Sequence, residues 1–438
     1  MENINTPPIQ TLDLNSLSFL LYAGAAILIY NAVLYLSKSN SAKVRIARKS
    51  PIFGWLSAIT YGIDSKSITI ALLNLVFLTY FISGTSSFLI LAGLFISTYV
   101  IGQYKLRSTV GNSATERFFI AVILGLWVLL FLAKDPNLVS FANPFHYFPL
   151  KLIGVSFIFF RCINYIEDIR ILPKHGPITY FAYLVFFPTL IAGPLERCDR
   201  WIEDFKTPHK VDKTVIWSSL NRIANGFIKK FILADFLYPL TGFGGVDPLT
   251  TGVGLLWLIF LLQLFVLYLD FSGYTDMMIG IARLMGFKLG ENFNRPFASV
   301  SVQEFWSRWH ISLTSFIKDY VFTPLLRFGL MRVEAKWAFL ISTFLYFVTM
   351  MIFALWHGTT WGFVIFGLLH GAALVLIQVR NRIKSRVSGK LGVILTWQAP
   401  RWLGIITTYL FVSFTMIFWS FGVTESIKIL SRLLFISA

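Results

Sequence analysis

Six histidines are the scarce reactive side chains of this 438-residue sequence: His146, His175, His209, His310, His357 and His370. Half of them fall between positions 310 and 370. The apolar run 361–379 carries His370 at its middle, so a membrane-crossing helix there holds an ionisable ring near mid-depth. That placement is costly and marks a functional candidate by default; the competing reading is a neutral core imidazole with one satisfied hydrogen bond. On a helical wheel of about 100° per residue, His310 falls with Trp306 and Trp309 and away from the neighbouring charges. It therefore packs as an aromatic or faces a cavity. His357, in Leu355-Trp356-His357-Gly358, ends the preceding apolar run and is read as orienting a loop rather than transferring protons.

Two histidines in a membrane cavity suit proton transfer to and from oxygen and sulfur. The chain has no HExxH, no GxxxxGK[ST] and no GxSxG, so zinc-protease, phosphate-loop and serine-hydrolase readings have no support, and no metal-ligand set is expected. The pairing of a histidine with an aspartate five residues on is also missing, because Ser315 follows His310 at that distance. No covalent nucleophile is obvious. A neutral imidazole can deprotonate a hydroxyl and later protonate a leaving thiol, which is what direct acyl transfer from a thioester requires. A second polar group would then orient the donor or the developing oxyanion.

The elements that position these residues are membrane helices. Hydrophobic residues make up 56% of the chain and charged ones only 13%, with a mean hydropathy of +0.69, against about 25% charged in an ordinary soluble domain. Apolar runs near 17–36, 68–83, 87–104, 117–133, 149–166, 178–195, 215–240, 252–280, 337–356, 361–379 and 402–421 predict roughly ten to twelve membrane helices in an all-α polytopic protein. One membrane-embedded domain over 1–438 is expected, since neither a soluble stretch nor a repeat is visible. The first run reads as a retained helix rather than a cleaved leader. Lys plus Arg total 38 against 21 Asp plus Glu. The bases lie between the apolar runs, which signals positive-inside topology rather than nucleic acid. Lys38, Lys43, Arg45, Arg48 and Lys49 belong in the cytosol by this rule, with the N-terminus outside. Arg380, Arg382, Lys384, Arg386 and Lys390 are also cytosolic, where they would meet an acidic donor. Cys162 and Cys198 form no disulfide framework and read as core thiols.

Two segments break the apolar pattern. Residues 300–322 carry Glu304, Arg308, Lys318 and Asp319 opposite Trp306, Trp309, Leu313, Phe316 and Ile317, which predicts one amphipathic interfacial helix. Leu269-Asp270-Phe271-Ser272-Gly273-Tyr274-Thr275-Asp276 puts two carboxylates at the end of an apolar run, where they need a wet or paired interior. Gly273 is expected to turn the backbone there.

These residues resemble a known family. Glu291-Asn292-Phe293-Asn294-Arg295-Pro296-Phe297, Glu304-Phe305-Trp306-Ser307-Arg308-Trp309-His310-Ile311-Ser312-Leu313 and Asp319-Tyr320 with Pro324 resemble the signature of the membrane-bound O-acyltransferases. Trp356-His357-Gly358 and Gly367-Leu368-Leu369-His370-Gly371 resemble its second signature, and the stretch from Asp270 to Asp276 resembles its bacterial branch. The match is specific over about 265–375. Ser307 and Phe322-Thr323-Pro324-Leu325-Leu326-Arg327 depart from the usual pattern.

The resemblance implies helices enclosing a tunnel or funnel, in which a cytosolic acyl thioester meets a hydroxyl acceptor from the other side. The donor is acetyl-coenzyme A or a carrier-protein thioester. The acceptor is a cell-surface or exported polysaccharide, or another glycan, at a bacterial inner membrane. Members of the alginate kind often work with an extracytoplasmic partner acetyltransferase, which joins membrane lipid among the expected partners. By this mapping His370 is the general base and His310 positions or polarises the thioester. Asp270, Tyr274 and Asp276 line the site together with His357, while Trp306 and Trp309 wall it. The alternative within the class is D-alanyl transfer to teichoic acid. The alternative outside it is a proton-coupled transporter or channel, which leaves the 304–319 segment without a purpose.

Overall fold

The computed structural model describes residues 17–47, 65–79, 85–109, 113–134, 154–241, 247, 249–384 and 400–434. His146, Arg48, Lys49, Arg386, Lys390 and the start of the run at 149–166 lie outside the described residues. The chain is all-α, with helices α1 (Leu17–Ala47), α2 (Ser65–Thr79), α3 (Thr85–Arg107), α4 (Ser113–Lys134), α5 (Val155–Asp168), α6 (Pro177–Leu184), α7 (Cys198–Lys206), α8 (Lys213–Phe227), α9 (Val253–Leu284), α10 (Val302–Arg308), α11 (Ile311–Ile317), α12 (Thr323–Leu330), α13 (Ala338–His357), α14 (Trp361–Lys384), α15 (Arg401–Ser420) and α16 (Val423–Leu433). A π-helical stretch, Ile228–Ala234, continues α8. Among the described residues, 5 helices are long and apolar enough to cross a membrane: Phe88–Arg107, Val253–Leu284, Ala338–His357, Trp361–Lys384 and Arg401–Ser420. This is a multi-pass membrane protein.

Several expected runs take another form. The runs at 149–166 and 178–195 give the 14-residue α5 and the 8-residue α6, because Pro177 starts a new helix and Pro188 sits in a 3-10 turn. The stretch at 269–276 contains no turn. α9 is continuous over 32 residues, so Gly273 lies inside a helix and both carboxylates project from it.

The chain divides into two compact units. In the unit formed by residues 11–226 and 274–290, the broken backbone around 182–189 is buried, and buried carbonyls and amides must find partners. Arg161 meets that demand: its guanidinium donates to the carbonyls of Tyr183 at 3.1 Å, Leu184 at 2.8 Å and Thr189 at 2.7 Å. Asn74 works in the same way, donating to the Ala182 carbonyl at 2.9 Å and accepting from the Phe187 amide at 3.0 Å. Cys162 and Cys198 are buried here.

The unit that includes 227–273 and 291–438 is organised by α13, α14 and α15. Only residues 358–360 join α13 to α14, so the two run antiparallel. Gly367 and Gly371, four apart, let them approach closely. A Cβ at Gly367 would stand 2.9 Å from the Ala354 Cβ, and one at Gly371 would stand 3.2 Å from the Phe347 Cα. At the start of α14, a Cβ on Gly362 would stand 2.1 Å from the Phe418 carbonyl near the end of α15, so these helices are antiparallel too. Lys384 and Arg401 therefore share one end of the trio, and His357, Trp361 and Ser420 share the other.

Candidate active site

The segment 300–322 is not one helix. α10 starts at Ser301, whose Oγ accepts the Glu304 amide at 3.2 Å, while Glu304 reaches back to accept the Val300 amide at 2.8 Å. Arg308, one turn later, donates to Glu304 at 2.6 Å, so these charges are paired along the helix. The helix then breaks at His310, whose φ of 45° and ψ of 51° lie in the left-handed region. A residue other than glycine takes this conformation at a cost of about 1–2 kcal/mol, and such strain clusters at functional sites. Residues 292–294 hold the break in place. The Asn294 amide donates to the Arg308 carbonyl at 3.0 Å, and the Ile311 amide donates to the Asn292 carbonyl at 2.9 Å. The two strings also meet in an antiparallel bridge between Phe293 and Trp309.

α10 therefore does not lie flat at an interface. Gln303 hydrogen-bonds Gln378 toward the Lys384 end of α14, at 3.3 Å. Trp306 packs on Phe353 and His370, with ring centroids 4.6 and 5.3 Å away, and His310 approaches Trp356 at 6.5 Å. The segment enters along the helix trio and climbs toward its His357 end. Trp306, Trp309, Leu313, Phe316 and Ile317 are all buried, so the predicted aromatic face does face protein. The helical wheel does not extend to His310, because the helix ends at Arg308, two residues before it, yet His310 is buried among rings as that reading expects.

His370 is 0% exposed, nine residues into α14, or about 14 Å from the Trp361 end at 1.5 Å per residue. Its Nδ1 accepts the indole N–H of Trp306 at 3.1 Å. An indole nitrogen only donates, so Nδ1 is the bare nitrogen and the proton of the neutral ring sits on Nε2. That N–H faces the Thr415 hydroxyl at 2.9 Å, and the hydroxyl in turn donates to the Val412 carbonyl at 2.8 Å. Phe366 and Phe411 close around the ring at 4.3 and 5.2 Å.

His310 is wired the opposite way. Its Nδ1 lies 3.1 Å from Asn292 Oδ1, which also receives the Ser312 amide at 3.2 Å and the Ser312 hydroxyl at 2.7 Å. The Ser312 amide can only donate, so the shared atom is the oxygen and His310 Nδ1 carries the proton. The side-chain hydrogen bond His310 makes among the described residues is through Nδ1, which leaves the lone pair on Nε2. Phe271 meets the ring edge-on at 4.8 Å. Burial holds the imidazole down to about 3, far below the ordinary histidine range, so the neutral form persists at physiological pH.

Of the other expected residues, Trp309 joins Phe293, Phe305 and Tyr268 beside the break, and His357 sits 4.1 Å from both Trp356 and Trp419. His310, Trp356, Phe353, Trp306 and His370 thus form one chain of ring contacts. Asp270 is engaged by Lys230 on the π-helical stretch, and its Oδ2 has no partner among the described residues. Lys230 is missing from the sequence reading, although a lysine inside an apolar run was the available signal. Tyr274 and Asp276 belong to the other unit, where Tyr274 is buried and Asp276 accepts from Arg222 at 2.9 Å. Asn292 stands in the 291–297 stretch that carries the resemblance, though the resemblance assigns it no role there, and Thr415 carried no signal of its own.

A family model described as the membrane-bound O-acyltransferase family matches residues 169–419. A Pseudomonas aeruginosa protein named probable alginate O-acetylase is 36% identical over 309 residues, covering 66% of this chain and 56% of the relative. A teichoic acid D-alanyltransferase of Streptococcus thermophilus is 28% identical over 334 residues, covering 72% and 78%. A peptidoglycan O-acetyltransferase of Helicobacter pylori is 35% identical over 224 residues, covering 50% and 41%. The chain spans about half the length of the curated O-acetylases it matches.

Proposed function

Because this chain belongs to the membrane-bound O-acyltransferase family, we propose that it transfers an acyl group, acetyl in the first instance, from a cytosolic thioester to a hydroxyl of a cell-surface or exported polysaccharide at a bacterial inner membrane. The observation that carries the reading is the pair of oppositely wired imidazoles, one with a bare lone pair and one with a fixed N–H. These bonds support an exchange of the roles expected from the sequence.

His310 Nε2 takes the proton of the acceptor hydroxyl as its oxygen bonds to the thioester carbon. Collapse of the tetrahedral adduct breaks the carbon–sulfur bond, and the proton passes from Nε2 to the departing sulfur, leaving ester and free thiol. His370 keeps its proton on Nε2 because Trp306 occupies Nδ1. Exchange of the Thr415 bond for one to the thioester oxygen polarises the donor. Depth supports this division of labour. Trp356, beside His310, lies at the His357 end of the trio, opposite Arg380, Arg382, Lys384 and Arg401. The positive-inside rule assigns the basic end to the cytosol, so a donor arrives from His370's side and an acceptor from His310's. The basic end also suits the phosphates of coenzyme A or an acidic carrier protein.

D-alanyl transfer is the second reading, favoured by the greater share of the teichoic acid enzyme that aligns, 78% against 56%. Native membranes supplied with either labelled acetyl-coenzyme A or a D-alanyl-loaded carrier protein separate the two. The first reading predicts ester label from acetyl-coenzyme A alone, and label from neither donor would reject acyl transfer. Gene deletion, followed by analysis of esters on surface glycans and of any extracytoplasmic partner enzyme they require, identifies the acceptor.

A further inference from the structure

Asn292 is 0% exposed in the connection between α9 and α10, and the two ends of its amide are in unequal condition. Oδ1 receives three donors: His310 Nδ1, the Ser312 amide and the Ser312 hydroxyl. Turning the amide over would set its N–H groups against those donors, so the side chain is locked in one orientation. The backbone carbonyl of the same residue receives the Ile311 amide, which fixes it from a second side. Nδ2 is buried and has no partner among the described residues. Leaving an amide N–H without an acceptor in a water-poor interior is costly, and folded proteins retain few such groups. Whatever oxygen accepts from Nδ2 lies beside the His310 imidazole, since both hydrogen-bonding atoms belong to one planar group.

We propose that Asn292 is a dual-purpose residue of the acyl-transfer centre: its oxygen keeps the His310 proton on Nδ1, leaving Nε2 free to act as base, and its N–H group donates to an oxygen of bound substrate. The inference rests on the reading of His310 as the base. In the first task Asn292 is a positioning residue. In the second it touches substrate, and the oxygen it meets belongs either to the thioester carbonyl or to the acceptor.

Asn292→Asp separates the tasks, because a carboxylate preserves the acceptor for all three donors and removes the N–H. Nitrogen-15 NMR of histidine-labelled full-length protein, with the His310 signals assigned from a His310→Gln sample, reads the tautomer directly. Wild type and Asn292→Asp are expected to show a protonated Nδ1 and a bare Nε2, whereas Asn292→Ala shows both tautomers. A wild-type signal with the proton on Nε2 would overturn the positioning role. Thiol release from acetyl-coenzyme A in native membranes is expected to lose at least about tenfold in kcat/KM in Asn292→Asp, the worth of roughly one good hydrogen bond. A raised KM for acetyl-coenzyme A assigns the oxygen to the donor. A lowered kcat at unchanged KM assigns it to the acceptor. Wild-type kinetics in Asn292→Asp would overturn the donating role. Retained activity in His310→Gln would instead reject the reading beneath it, whatever the NMR shows.

Discussion

Thr415→Val removes one hydroxyl from beneath His370 while keeping the side-chain shape. The 2.9 Å contact to Nε2 disappears, and the ring cannot relieve the loss by moving its proton to Nδ1, because the Trp306 indole N–H already points there at 3.1 Å. A buried N–H without an acceptor costs about 1–3 kcal/mol. The Val412 carbonyl gives up only an additional donor, since it belongs to a helix. The purified protein in detergent should therefore unfold a few degrees lower, while Thr415→Ser, which keeps the hydroxyl, loses about 1 kcal/mol at most through its missing methyl. Saturating acetyl-coenzyme A should raise the melting temperature of Thr415→Val more than that of wild type, because a thioester oxygen takes the vacant place opposite Nε2. Equal stability of Thr415→Val and wild type, or equal stabilisation by donor, would refute the inferred tautomer and the place assigned to the donor.

Trp306→Phe deletes the indole donor and keeps an aromatic ring. It should release the His370 proton to both nitrogens in nitrogen-15 spectra and lower kcat by about tenfold, roughly 1.4 kcal/mol. His310 is buried neutral with its pKa lowered to about 3, against about 6.5 in an unfolded chain. Its contribution to stability is complete above about pH 6.5 and is lost as pH falls toward 3, so melting temperature should drop less steeply between pH 6.5 and 4 in His310→Gln than in wild type. Lys230→Met and Asp270→Asn each break the buried ion pair and should each destabilise by about 3–5 kcal/mol, while the double variant costs less than the sum when melting is compared across the cycle. Gly367→Val forces a side chain against Ala354 and the Met350 carbonyl, which should cost about 1–3 kcal/mol and lower the yield of folded protein.

Composition and hydrophobic period make the long helices legible. α13, α14 and α15 sit within five residues of their expected ends, and His370 lies inside the membrane run that singled it out. Trp306 and Trp309 are buried as the wheel requires. Periodicity does not carry a local exception to itself. The left-handed backbone at His310 depends on two hydrogen bonds from a string of residues some 15 positions upstream, which no single-segment pattern contains. Gly273 reads as a turn residue, yet the flanking apolar residues hold a continuous helix through it. Asn292 and Thr415 matter through the atoms they face, and that information is tertiary. Lys230 lay within reach of the rule that ionisable groups in apolar runs need partners, and Asp270 was the partner to look for.

The most direct measurement is acyl transfer from labelled acetyl-coenzyme A in native membranes containing equal amounts of folded wild type, His310→Ala or His370→Ala. Loss of at least about a hundredfold in each variant is predicted, the scale of a positioned acid–base group. Transfer at the wild-type rate in either one would contradict an acyl-transfer centre built on these two imidazoles.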